Sequence, residues 1–218
     1  MLNFFRTWAA GSIIWPSIDE ELRFAREAGF LKGHILNAGA GIRDIRHLVD
    51  GTLVNLDIKW DNDTRAHIDI FGSLSEIPRP DNTFDGIVCI AVLEHVQEPE
   101  KVVAEFYRVT KPGGHVVASV PFLQPEHKVP TDFQRYTRDG LKLLFEEKGF
   151  EEIHLITLFT VFHTLHWILY EILINQQTVV SKLLRYLILV PVAFLARNCK
   201  IVNPKVASAF QIIVKKPN

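Results

Sequence analysis

Hydrophobic residues in this chain gather in short continuous runs, and amphipathic stretches lie between them. HILNAG (34–39), TLVNLDI (52–58), FDGIVCIAV (84–92) and GHVVASVPF (114–122) are apolar almost throughout. Strands buried on both faces read this way, whereas one-sided strands alternate. EEIHLITLF (151–159) and ASAFQIIVKK (207–216) read as two further strands. In residues 18–30, Ile18, Leu22, Ala25 and Ala28 or Gly29 recur at helical spacing, with Asp19 and two glutamates in the first turn, where the helix dipole favours them. PEKVVAEFYRV (99–109) predicts a second helix with proline near its start. TRDGLKLLFEEK (137–148) predicts a third, capped by Thr137 or Asp139 and ended by Gly149. Strand, helix, strand repetition implies right-handed crossovers and a mostly parallel sheet.

Two apolar stretches depart from that alternation. VFHTLHWILYEILI (161–174) and YLILVPVAFLA (186–196) precede the last strand; the second is flanked by Arg185 and Arg197 and broken by Pro191. Both fall short of the roughly 20 apolar residues that cross a bilayer. Residues 161–200 therefore read as an apolar helical insertion. It would cap the domain or a homodimer, lie on a membrane surface, or cover an apolar pocket. The predicted organisation is an N-terminal helical segment (1–32), an α/β domain (33–160 and 201–218) and this insertion.

Composition narrows the class. With 218 residues, 48% hydrophobic and 22% charged, the chain is a globular domain with appendages. Cys89 and Cys199 form neither a disulfide framework nor a metal-ligand spacing, so no metal and a cytoplasmic setting are expected. The opening MLNFFRTWAAGSIIWP has a broken, Trp-rich apolar run and reads as a short packed helix rather than a signal peptide. All 25 acidic residues lie at or before Glu171, while seven of the 24 basic residues lie after it. Such a split can mark a segment that meets an anionic surface, on the inner face of a membrane if the chain is cytoplasmic.

The chemistry centres on LNAGAGIRD. Gly39 and Gly41 follow the first strand and precede an expected helix. Glycines there let the chain turn sharply and let a ligand approach the backbone. Asp57 stands at the end of the next strand, where an acid can accept from both ribose hydroxyls; the alternative is a strand-end acid capping the next turn. A dinucleotide would want a third glycine and a phosphate-friendly helix start, but position 44 is Asp.

At this point a resemblance is plain. LNAGAG, NLDI, HIDIFGSLSEIPRPDNTFDGIVCIAVLEHV and RVTKPGGHVVASVPF together resemble the class I S-adenosylmethionine-dependent methyltransferases over roughly residues 33–160. The resemblance implies a Rossmann-like, mostly parallel seven-stranded sheet with helices on both faces and S-adenosylmethionine as cofactor. It implies that Gly39 and Gly41 pass the methionine and ribose portion and that Asp57 binds the ribose. Asp69, beside Ile70, would contact the adenine, and Ala91 would line the methionine side. Pro112, Gly113 and Gly114 would turn the chain into the following strand. Two positions depart: Asn37 replaces the motif's first acid and Arg43 its third glycine. Asn37 can still hydrogen-bond a cofactor through its amide.

The segment PEHKVPTDFQRYT resembles a subgroup with a P-x-H-x-x-P-x-D-F-x-R-Y-T run after the fifth strand of the family sheet, associated with sugar, lipid or cell-envelope biosynthesis. O-methylation of a small-molecule, glycan or lipid-linked acceptor is the expected reaction. His127 would be the general base and Asp132 its orienting partner, with His95 of LEHV a second candidate base. Arg135 and Tyr136 would bind substrate, or, with Asp132, clamp the loop. An acidic α/β portion without a basic, aromatic stripe excludes nucleic acid as the acceptor. A catalytically silent methyltransferase-like scaffold is the alternative function.

Overall fold

The computed structural model describes residues 17–128, 131–174 and 179–218. The helix expected near the N-terminus before residue 17 lies outside these residues. Seven strands form one sheet: β1 (Lys32–Ala38), β2 (Asp50–Asp57), β3 (Ile70–Phe71), β4 (Phe84–Ile90), β5 (Thr110–Pro121), β6 (Glu151–Leu158) and β7 (Ala209–Lys215). Their order is β3-β2-β1-β4-β5-β7-β6. The pairs β2/β3, β1/β2, β1/β4 and β4/β5 are parallel. The Gly113 N–H donates to Lys216 and the Lys216 N–H to Gly114, while the Phe122 N–H donates to Ser208. Those partners run in opposite directions along the chain, so β7 is antiparallel to β5. The strand that the apolar runs had not disclosed is β3, two residues long, paired with Leu56 and Asp57.

Helices α1 (Ile18–Glu27), α2 (Pro99–Val109) and α3 (Arg138–Glu146) follow the predicted spacing. Each buries one stripe: Leu22 and Ala25; Val102, Val103, Phe106 and Val109; Leu141, Leu144 and Phe145. Thr137 is the N-cap of α3 and accepts from the Gly140 N–H at 3.1 Å. The Pro-Gly-Gly segment is not a turn before a strand but a bulge within β5, where Thr110 and His115 face Phe84 and Gly86.

The helix expected after the glycine turn does not form either. Between β1 and β2 the chain makes only a single 3-10 turn, Arg46–Leu48. Asp44 accepts from the Arg46 N–H at 3.1 Å and pairs with its guanidinium at 2.7 Å, and β2 begins only two residues after Leu48. A side chain that captures the backbone competes with helix. The apolar cover that a crossover helix would give comes from α1 instead: Leu22 and Ala25 join Ile35, Ile45, Leu48, Leu53, Val88 and Val117 in one buried cluster.

Two compact units emerge. One comprises Ile18–Pro121, Lys128–Ile156 and Phe210–Asn218 and holds most of the sheet. Among the described residues, the other comprises Ser17, Phe122–His127 and residues 157–209. The second contains α4 (Val161–Ile174) and α5 (Val179–Asn198), which pack on each other. No helix among the described residues is long and apolar enough to cross a membrane.

Candidate functional site

Strand order places the site. After β3 the chain returns to the other side of β1, so β1 and β4 diverge at a topological switch point. In open α/β sheets ligands bind outside the carboxyl ends of the strands at such a point. The glycine turn leaves β1 there. Gly39 has φ 72° and a built Cβ would lie 2.5 Å from Val92 Cγ2, just past β4. Only glycine lets the two strand ends approach this closely. Gly41 has φ 58°, and a built Cβ meets nothing within 4 Å. The space over Gly41 is open.

Asp57 reaches under that space. Its Oδ2 accepts from the Gly41 N–H at 2.7 Å, and its Oδ1 from the Ile58 N–H at 2.7 Å. Oδ2 also accepts from Arg65 Nη1. Each carboxylate oxygen has two lone pairs. Oδ2 is thus saturated and Oδ1 keeps one lone pair for a hydroxyl. Arg65 has no motif in the sequence to mark it, yet it is the cation at the centre of this cluster. Its guanidinium also pairs with Asp63, donates to the Ile58 carbonyl at 2.7 Å and lies 3.5 Å over the Trp60 ring. Asp63 first, and Asp57 after it, hold Arg65 protonated, while Arg65 holds the Asp63 carboxyl well below the usual carboxylate range. His67 Nε2 lies 3.2 Å from the Gly41 carbonyl. The only sequence signal for this cluster was the density of charge in DNDTRAHID between β2 and β3.

Asn37 is buried and spends both amide hydrogens on the protein, donating to the Arg43 carbonyl at 3.1 Å and to Asn55 Oδ1 at 2.8 Å. Asn55 in turn donates to the His67 carbonyl at 2.9 Å. Asn37 therefore frames the glycine turn from below. Arg43 Nη2 donates to the Ile90 carbonyl at the end of β4, at 3.2 Å. Asp69 Oδ2 accepts from the Asn55 N–H at 2.7 Å and from Arg46 at 3.2 Å. Ala91 has φ 54°, unusual for a residue with a Cβ, and donates its N–H to Ser119.

LEHV and DFQRY, 36 residues apart in sequence, are one assembly. The Phe133 N–H donates to the Glu94 carbonyl at 2.8 Å, and Gln134 Nε2 donates to the Leu93 and Val96 carbonyls at 3.0 and 3.1 Å. His95 Nδ1 bonds the Thr131 carbonyl. A carbonyl only accepts, so the Nδ1 proton is fixed and Nε2 faces Glu94 Oε1 at 3.7 Å. Asp132 and Arg135 form a bidentate pair. Tyr136 is buried, its hydroxyl 3.4 Å from the Leu93 carbonyl, and burial raises its phenol above the usual range. In this placement Arg135, Asp132 and Tyr136 have the geometry of a clamp on the loop. His127 belongs to the other compact unit, whereas Asp132 and His95 belong to the sheet unit. There His127 Nδ1 lies 3.3 Å from the Pro125 carbonyl and its ring 5.3 Å from that of Trp167. Cys89 is fully buried and its thiol is held protonated by that burial, which removes it as a nucleophile.

Residues 36–118 match the family described as "Methyltransferase domain". A Mycolicibacterium smegmatis protein named a probable S-adenosylmethionine-dependent methyltransferase is 33% identical over 139 residues, covering 54% of this chain and 51% of that protein. A demethylmenaquinone methyltransferase of Renibacterium salmoninarum is 41% identical over 73 residues, covering 32% of this chain and 31% of that protein. The chain thus spans about half or less of the length of these curated relatives. Among solved structures, an S-adenosylmethionine-dependent methyltransferase of Thermotoga maritima has a TM-score of 0.61 at 15% identity, covering 99% of this chain and 94% of that one. The [4+2]-cyclase SpnF has a TM-score of 0.61 at 16% identity, covering 91% and 81%. Residues 36–118 are thus similar to a methyltransferase domain, and the sheet has the fold of the solved S-adenosylmethionine-dependent methyltransferase from Thermotoga maritima.

Proposed function

We propose that this protein transfers the methyl group of S-adenosylmethionine to a hydroxyl of a small-molecule, glycan or lipid-linked acceptor, in the cytoplasm. The observation that carries the reading is the open space over Gly41 beside the Asp57 carboxylate at the switch point of the sheet. The residues fit the cofactor: Asp57 Oδ1 has a lone pair for a ribose hydroxyl, and a glycine at position 41 leaves the approach to the backbone clear. Gly39, Gly41, Asp57, Asp69 and Ala91 would hold it, with Asn37 and Arg43 shaping the turn beneath. When bound, the cofactor supplies an electrophilic methyl on a sulfonium.

The chain's own contribution is to position the acceptor and receive its proton. Holding a nucleophile in line is worth about 7–11 kcal/mol in well-oriented reactions. His95 suits the proton transfer because the Thr131 carbonyl fixes its tautomer and leaves Nε2 as the accepting atom. Glu94, 3.7 Å away, would stabilise the resulting imidazolium. His127 is the second candidate, and the Asp132–Arg135 pair would hold the loop that bonds His95. The relative from Renibacterium acts on a quinone precursor by its name, so a ring carbon activated by a neighbouring hydroxyl is the acceptor to test beside simple hydroxyls.

Isothermal titration with S-adenosylmethionine and S-adenosylhomocysteine, with NAD as control, tests the cofactor. Micromolar binding of the first two, lost in Asp57→Ala, is expected. Absence of binding by a folded protein would favour the silent-scaffold reading, to which the Arg65 bond on Asp57 and the cyclase on the same fold both lend support. Replacing His95 or His127 by Ala then locates the base. The true base loses about 10²–10⁴-fold in turnover with cofactor affinity unchanged.

A further inference from the structure

Helices α4 and α5 each expose apolar side chains at helical spacing. On α4, Leu165, Ile168 and Ile172 are exposed at helical spacing. On α5, Val180, Leu183, Leu184, Leu187 and Phe194 are exposed, with Val180, Leu187 and Phe194 two turns apart in register. The opposite side of α5 is the buried one, with Leu189 at 5%, Ala193 at 1% and Ala196 at 4% exposure. Leu189 and two alanines thus meet the protein while most of the large apolar side chains of α5 meet solvent, the reverse of a surface helix in water. Ile201 and Val202 extend the face at 67% and 48% exposure. A patch of this extent marks an interaction site.

Charge identifies the occupant. The last acid in the chain is Glu171, and it accepts from Trp167 Nε1 at 2.9 Å. From 172 to 218 every charged side chain is cationic. Arg197, Lys200 and Lys205 are exposed beside the end of the apolar stripe. A second copy docked here would set cations against cations, because a twofold interface brings the same patch together and the one acid of the two helices, Glu171, already accepts from Trp167. An anionic, apolar-backed partner meets both features. Neither helix is long and apolar enough to span. We infer that α4 and α5 form a monotopic docking face that lies in the interfacial plane of a membrane rich in anionic lipid, with the large side chains of α5 among the acyl chains and Arg197, Lys200 and Lys205 at the headgroups.

The inference does not depend on the methyl-transfer reading, and cofactor titration of the same preparation tells the two apart. The test is co-sedimentation of the full chain with phosphatidylcholine vesicles, with and without phosphatidylglycerol, at low and high salt. Binding to the anionic vesicles should exceed binding to phosphatidylcholine alone by about tenfold or more and should weaken in high salt. The exposed double substitution Leu187→Glu, Phe194→Glu should abolish it with the circular dichroism spectrum unchanged, and Arg197→Glu with Lys200→Glu should remove the preference for anionic lipid. Absence of vesicle binding by the folded wild-type protein would overturn the inference. So would undiminished binding by the Leu187→Glu, Phe194→Glu protein, or a discrete dimer in light scattering that Leu187→Glu converts to monomer. The wild-type salt and lipid dependence decides the matter even if a variant fails to fold.

Discussion

At the scale of single residues, Gly39 and Gly41 separate structure from ligand. Both have positive φ, and a Cβ there costs about 1–2 kcal/mol from backbone conformation alone. At Gly39 the Cβ also strikes Val92, whereas at Gly41 it enters open space. Gly39→Ala should therefore lower the melting temperature clearly more than Gly41→Ala. Gly41→Ala should fold and yet lose cofactor affinity, which differential scanning calorimetry and titration would read separately. Glu21 gives a second prediction. Burial of its carboxyl raises its pKa, with the Ser119 hydrogen bond opposing. A carboxyl whose folded pKa is raised favours the fold while protonated, so its contribution falls as pH rises above the ordinary carboxylate value. Glu21→Gln should raise the melting temperature at pH 8, with the gain shrinking toward pH 4. Asp57 was legible as a strand-end acid; its bond to Arg65 was not, because eight residues of irregular chain bring the guanidinium back and no periodicity encodes that path.

At the scale of elements, α4 carries its own pH dependence. His166 is 2% exposed, its Nδ1 has no partner among the described residues, and burial lowers its pKa to about 4, with His163 adding a smaller effect. Folded, it stays neutral; unfolded, it takes a proton near its ordinary pKa of about 6.5. The unfolded state thus binds more protons between about pH 4 and pH 6.5, and stability falls as pH drops through that window. His166→Leu should flatten the acid limb of a thermal melt followed by helical circular dichroism. The start of α4 has a local cause as well: His163 Nδ1 accepts the Thr160 N–H at 3.2 Å, a reach back to the cap of the kind that glutamate makes in a capping box. Strands and amphipathic helices were legible because burial imposes their periods. The 3-10 turn at Arg46–Leu48 was not, because the family-like spacing suggested a helix while Asp44 and the short path to β2 excluded one.

For the molecule as a whole, a ligand that binds only the folded state adds RT ln(1 + [L]/Kd) to stability, about 2.7 kcal/mol at a hundredfold excess over Kd. S-adenosylhomocysteine should accordingly raise the melting temperature of the wild-type protein and leave that of Asp57→Ala unmoved. The sequence by itself determined the mostly parallel sheet, the helices within 18–30, 99–109 and 137–148, and the glycine–acid pair, because apolar period, caps and turn residues are local properties. Its charge asymmetry was equally plain. Only the tertiary structure decided that LEHV and DFQRY are one assembly fixing the His95 tautomer, that Arg65 shares Asp57, and which faces of α4 and α5 meet solvent. Those outcomes depend on which residues distant in sequence come within hydrogen-bonding reach, and chain topology, not local pattern, sets that.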